Sequence, residues 1–186
     1  DIYCFTGLGV MKNAFIIDYL ADGMTDGGYI SGYINSADGY CRNMLTDSTQ
    51  FSLNLFDMND NTVNLIGTMH YTAPSSIVSL RSYPIDRSAK AMYYISEDGR
   101  IRSPFIDMAD GISRTSVNDL TSYSKTEGCA DILIKILPAF IGDTFDTRMI
   151  KSDDLIESIW CEDGILYYTD ENIEMTGLTY RAELVR

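Results

Sequence analysis

The sequence predicts an α+β fold built mainly on antiparallel sheet, with two main helices. Three pairs of alternating apolar and polar segments, at 51–71, 91–107 and 157–171, are each interrupted by a short turn, which is typical of β-hairpins. Two other segments, 9–23 and 128–142, carry apolar residues at helical spacing. Because hairpins predominate and helices do not alternate regularly with strands, we expect antiparallel sheet covered by helices.

The first elements are predicted from glycines and alternation. Residues 1–8 read as a short strand that ends at Gly7. The helix that follows is expected to stop at Gly23, because glycine is common just past a helix end. "GGYISGYIN", residues 27–35, alternates tyrosine and serine with isoleucine and predicts a strand.

The later elements follow from turn residues. "NDN" at 59–61 is expected to turn the first hairpin, and Asp98-Gly99 and Asp163-Gly164 the other two. Strands are predicted at 75–85, where Pro84 closes the segment, and at 116–125.

Composition indicates one globular domain spanning 1–186, with 45% apolar and 22% charged residues and no low-complexity linker. The net charge of -13 argues against nucleic acid or an anionic membrane as partner. A bound cation could still mediate contact with a phosphate ligand. No apolar run has the length of a transmembrane segment, and the longest, 132–142, contains Lys135 and Pro138.

Cysteine and histidine give no catalytic signature. The four cysteines are scattered without a Cys-x-x-Cys pair, so buried free thiols are expected rather than a zinc site. The single histidine, His70, is expected to fill a strand position, since no nucleophile elbow accompanies it.

Two charged residues near predicted helix starts are candidates for ligand binding. Lys12 lies where the helix dipole disfavours a cation, so it either pairs with a phosphate or carboxylate or is simply solvated. Asp131 begins the second helix, where a carboxylate is favourable, and Lys135 is placed to pair with it at i,i+4.

Taken in order, these segments resemble the ApbE family, the FAD:protein FMN transferases. "GVMKNA" with Lys12 is similar to the family's GIAKGYA, and "INSADGY" at 34–40 occupies the place of its GGD. "FIDMADG" at 105–111 is similar to H-I-I-D-P-x-T-G, and "CADILIK" at 129–135 to A-D-A-L-A-T. The set covers nearly the whole chain in order.

The resemblance implies an ApbE/T-fold-like domain that binds FAD, with Mg²⁺ on the pyrophosphate, and transfers FMN to a Ser or Thr of an acceptor protein. Asp107 would be catalytic and Asp131 a metal ligand. Flavin would be bound by Lys12 and by three residues of the Asp-Gly turn, Asn35, Asp38 and Gly39. It further implies a fragment lacking the family's N-terminal region, from an extracytoplasmic lipoprotein.

Several positions depart from the family pattern. Pro104 stands where the family has its histidine, Asp110 at the threonine of that loop, and Arg81 near the middle glycine. Lys135 replaces the threonine that helps to hold the metal, so we expect weakened Mg²⁺ binding. Three readings stay open: a divergent transferase, a non-catalytic relative that binds flavin or a protein, and a plain structural domain.

Overall fold

The computed structural model describes most of the chain. The described residues are 8–29, 31–36, 38–44, 51–58, 63–71, 75–82, 94–95, 97, 99, 101–102, 105–107, 109–151 and 154–186. The helices are α1 (Leu8–Asp26), α2 (Cys129–Phe140) and α3 (Thr147–Ile150). The strands are β1 (Tyr33–Asn35), β2 (Tyr40–Asn43), β3 (Phe51–Met58), β4 (Val63–Tyr71), β5 (Ser75–Arg81), β6 (Tyr94–Ile95), β7 (Ile101–Arg102), β8 (Asp119–Ser124), β9 (Glu157–Glu162), β10 (Ile165–Tyr168), β11 (Glu174–Thr176) and β12 (Arg181–Leu184).

The described strands form one large and two small sheets, and the fold is the predicted α+β. The main sheet has seven strands in the order β1-β2-β5-β8-β9-β10-β12. Its neighbours are antiparallel except β10 and β12, which run parallel. The small sheet has the order β11-β4-β3, and β6 pairs with β7.

The main sheet lies between the helices and the small sheet. Because successive side chains of a strand point to opposite faces, one strand contributes to an apolar core on each side. On β5, Val78 and Leu80 belong to the apolar core shared with α1 and α2, whereas Ile77 belongs to the core shared with β3 and β4. The central strand β8 is therefore buried along its whole length.

The predicted hairpins are confirmed, since β3 pairs with β4, β6 with β7 and β9 with β10, all antiparallel. The last turn has φ 51° at Asp163 and φ 75° at Gly164, as a two-residue type I′ turn requires. The "NDN" turn and Asp98 lie outside the described residues. The strand at 75–85 is confirmed over Ser75–Arg81, the strand at 116–125 over Asp119–Ser124, and the second helix as α2.

Two expectations for the first elements are wrong. α1 continues through Gly23 to Asp26 and ends at Gly27 and Gly28, where Gly28 has φ 88° and the Tyr29 amide donates to the Met24 carbonyl at 3.0 Å. The strand expected at 27–35 is confined to Tyr33–Asn35, because this double-glycine ending occupies its first residues. Of the strand expected at 1–8, Leu8 is helical and the rest lies outside the described residues.

For the described residues the histidine prediction is confirmed, and the prediction of buried free thiols is confirmed except that Cys41 is half-buried. Cys41, Cys129 and Cys161 are free. His70 fills a position of β4, where its ring nitrogens lie 2.8 Å from Ser52 Oγ and 2.7 Å from Thr176 Oγ1. Within the described part of the chain, no helix is both long enough and apolar enough to span a membrane.

Candidate functional site

The predicted flavin-binding residues lie where α1 meets the β1–β2 turn. Asn13 Nδ2 donates to Asp38 Oδ2 at 2.5 Å, which joins the residue after Lys12 to the turn. Lys12 and Asn35 are exposed, and Asp38 is half-buried. The turn itself is closed by the Ser36 amide, which donates to the Tyr40 carbonyl at 2.8 Å. Two motifs that are distant in the sequence therefore form one exposed polar surface.

Gly39 has a structural reason to be glycine. Its φ is 98°, and a Cβ at this position would lie 2.2 Å from the Ser79 carbonyl oxygen. The Ser79 amide donates to the Gly39 carbonyl at 2.8 Å, so the turn is held directly against β5. No side chain can be placed there without moving one of the two backbones. A role for Gly39 in flavin binding stays a prediction.

Asp107 is held by a network of hydrogen bonds around Arg114. Its carboxylate accepts the Ala109 amide at 2.9 Å and Arg114 Nη2 at 3.0 Å. The same guanidinium binds Asp110 and lies 3.0 Å from Asp143 Oδ1. The Ala109 amide and, next, Arg114 lower the pKa of Asp107 below its ordinary value. A carboxylate that is so well stabilised in its charged form is a weak proton acceptor.

Asp131 lies in the first turn of α2, exposed, as predicted. At the far end of this helix, Phe105 packs against Phe140 with ring centroids 5.0 Å apart, two residues before Asp107. With a rise of about 1.5 Å per residue, Asp131 and Phe140 are about 14 Å apart along the helix axis. The structure thus places the predicted catalytic and metal-binding aspartates at opposite ends of α2.

The described residues do not fit the expected Mg²⁺ site. No three His, Cys, Asp or Glu side chains of the described ranges are grouped so that they could hold a metal ion. Lys135, one turn from Asp131, lies with its Nζ 3.7 Å from Glu127 Oε2 and adds positive charge to this helix end. The described residues therefore do not assemble the groups that would hold the ion, and Asp131 as a ligand stays a prediction.

The N-terminus of α2 is bound by a carboxylate that sequence reasoning missed. Asp18 of α1 accepts the Cys129 amide at 2.8 Å and the Ala130 amide at 2.9 Å. Arg42 of β2 pairs with Asp18 at 2.9 Å. A Cβ on Gly128 would lie 2.7 Å from Asp18 Oδ2. The only local signal is a glycine before the helix, and it does not indicate a partner 111 residues away.

A buried ion pair lies beneath the β1–β2 turn. Arg81 Nε is 3.3 Å from Asp119 Oδ2, and a Cβ on Gly39 would lie 3.5 Å from Arg81 Nη1. Burial raises the pKa of Asp119 to about 6, against the opposing effect of Arg81. Since both groups are largely desolvated and paired across β5 and β8, we interpret them as a structural support for the turn.

Two cavities lined by described residues lie away from these side chains. They have volumes of about 310 and 270 Å³ and share Lys125 and Thr126, which precede α2. None of the predicted site residues lines either cavity.

Together these features define an α+β protein with helices on one face of a mainly antiparallel sheet and an exposed polar surface at one edge. The fold is similar to the crystal structure of the ApbE protein from Thermotoga maritima, with a TM-score of 0.52 and 10% sequence identity. The likeness covers 70% of this chain and 39% of that chain, so this chain spans about two fifths of that protein's length. No family model and no curated protein matches the sequence. At this identity the likeness shows an ApbE-like fold.

Proposed function

We propose that this chain is an ApbE-like protein that binds FAD and lacks the FMN-transfer step. The observation that carries the proposal is the separation of its predicted sites. The Lys12 segment and the Asp-Gly turn meet through Asn13 and Asp38. Asp107 and Asp131 lie at opposite ends of α2, and Asp107 is engaged by Arg114.

Binding of FAD would depend on Lys12. A chain with a net charge of -13 repels a pyrophosphate unless a cation faces it. Lys12 is exposed and precedes Asn13, which contacts the turn, so it could supply a mobile ammonium for this purpose. Asn35 and Asp38 supply hydrogen-bonding groups for the polar parts of the nucleotide. Because Lys12 and Asn35 are exposed to solvent, we expect weaker binding than in an enclosed pocket.

The proposed loss of FMN transfer rests on how the Asp107 carboxylate is bound and on its separation from Asp131. Transfer to a hydroxyl needs a base near the acceptor and positive charge on the pyrophosphate. The Asp107 carboxylate is occupied by the Ala109 amide and Arg114, and its pKa is lowered. The residues that would have to act on one phosphate are also separated along α2. This arrangement supports binding without chemistry.

The test is a titration of FAD, followed by fluorescence, with and without Mg²⁺ and an acceptor protein. Lys12→Ala and Asp38→Ala should weaken binding, whereas Lys151→Ala, an exposed lysine on another element, should not. Bound flavin without released AMP supports the proposal. AMP release with FMN attached to the acceptor would establish the transferase and show that it can use an acceptor protein. No binding would leave a structural domain.

A further inference from the structure

The outer face of α1 is apolar, although its inner face already belongs to the core. Ala14, Ile17 and Ala21 are buried against the main sheet. The opposite face exposes four large apolar side chains, Phe15 at 64%, Tyr19 at 71%, Leu20 at 46% and Ile16 at 40%. Large apolar side chains that remain exposed together on one face of a helix are typical of a surface that another molecule covers.

Gly23 adds a second, independent feature to this face. It lies within α1, although glycine lowers helix stability relative to alanine. A Cβ at this position would meet nothing within 4 Å, so the packing of this chain does not require a glycine. The missing side chain leaves a shallow recess in the outer face, where a bulky group of another helix can approach the backbone.

The outer face is complementary to itself. Lys12, Phe15, Tyr19, Gly23 and Asp26 follow one another at spacings of 3, 4, 4 and 3, a stripe that is symmetric about Tyr19. In an antiparallel pair centred on Tyr19, Phe15 of one copy faces Gly23 of the other, and Lys12 faces Asp26. A large group thus meets a recess and a cation meets an anion, twice each, as a two-fold interface requires.

We propose that two copies of this chain associate through antiparallel packing of their α1 helices. The exposed parts of the four apolar side chains amount to roughly 400 Å² per copy, since one aromatic side chain offers about 150–250 Å². A standard interface buries about 800 Å² per partner, so this dimer is a weak one. The charge of -13 on each copy opposes association and makes moderate salt necessary.

The test is sedimentation equilibrium without nucleotide over about 5–500 µM protein, a range that reveals a weak mass-action equilibrium. At about 0.15 M salt, where charges more than about 8 Å apart are screened, we expect a reversible dimer. Tyr19→Ser should weaken it at least about tenfold, as loss of a central aromatic contact does. Ile134→Ala is the matched control, because Ile134 is 52% exposed on α2 and lies outside the proposed interface.

Gly23→Ala separates the proposal from a purely structural role. Alanine should raise the melting temperature of the dilute monomer by about 2–4 °C through helix propensity. The same change should weaken the dimer, because the methyl group fills the recess for Phe15. A variant that stabilises the monomer and leaves dimerisation unchanged would overturn the proposed register.

Charge exchange tests the orientation of the two helices. Lys12→Glu and Asp26→Lys should each weaken the dimer, and the double variant should restore it, since opposite charges again face one another. A double variant no better than the singles would exclude the antiparallel arrangement. A wild-type chain that stays monomeric throughout, yet binds an apolar dye through Phe15 and Tyr19, would assign the face to a different partner. Because FAD is absent, these outcomes are independent of the proposed function.

Discussion

Replacing Asp18 by alanine should destabilise the protein strongly, because one carboxylate connects α1, β2 and α2. Asp18 accepts the Cys129 and Ala130 amides at 2.8 and 2.9 Å and pairs with Arg42 at 2.9 Å, with its side chain only 13% exposed. Net contributions of hydrogen bonds to charged groups are about 1.5–3 kcal/mol each, and partial exposure reduces them. We expect Asp18→Ala to lower the free energy of unfolding by about 3 kcal/mol.

Asp22→Ala is the matched control. Asp22 lies one turn further along α1 and binds the same Arg42 at 3.2 Å, but its side chain is 67% exposed. An exposed pair contributes only about 0.2–1 kcal/mol, so the free energy of unfolding should hardly change. Urea unfolding at pH 7, followed by tryptophan fluorescence and circular dichroism together, measures both variants.

The comparison has a clear refuting outcome. If Asp18→Ala and Asp22→Ala lower the free energy of unfolding equally, the carboxylate adds nothing beyond a surface charge, and the role of Asp18 in capping α2 is wrong. Asp18→Asn keeps one oxygen that can accept a backbone amide but loses the charge, so its stability should lie between those of wild type and Asp18→Ala.

Three further predictions concern the neighbouring sites. The pKa of Asp119 is about 6 in the folded state and about 3.9 in the unfolded state. The protonated carboxyl therefore stabilises the fold below pH 4, and this contribution, up to about 3 kcal/mol, is lost as the pH rises through 6. Asp119→Asn should flatten this part of the pH profile of the free energy of unfolding, measured with urea. Gly39→Ala should lower the free energy of unfolding by at least about 2 kcal/mol. Gly111→Ala should lower it less, because Gly111 also has positive φ but has no atom within 4 Å of the added Cβ. Equal losses of stability would contradict the close approach of Gly39 to β5. Arg114→Gln should raise the pKa of Asp107 in an NMR titration but leave it below the ordinary value, because a backbone amide still binds the carboxylate; an unchanged pKa would refute the pairing.

The sequence predicts those elements whose partners are local. Each hairpin is specified by two alternating segments and a turn, and the Asp163-Gly164 turn shows the positive φ angles that its residues favour. β2 and β12 were missed because their pairing is not local. β2 lies beside β5, with Tyr40 opposite Val78, and β12 pairs in parallel with β10.

The same distinction applies to the candidate site. The Lys12 segment and the Asp-Gly turn could be identified as motifs, but only the fold shows that Asn13 and Asp38 meet. Arg114 was missed although it follows Asp110 by four residues, a spacing that permits an ion pair. The role of Asp18 had no signal at all, since a carboxylate in the middle of a helix is ordinarily solvated.

The pairing of Asn43 with Ser75 has a consequence for how this domain could change in length. The chain leaves the main sheet at the end of β2 and returns at the start of β5, directly opposite the point of departure. The segment between β2 and β5, which includes the β3–β4 hairpin, is thus an excursion that a tight turn could replace without breaking the pairing of β2 with β5. Its removal would nevertheless uncover Ile77, Tyr123 and Ile159, which pack beneath the small sheet. The hairpin is therefore not needed for the strand order of the main sheet, but it covers one of the apolar faces of that sheet.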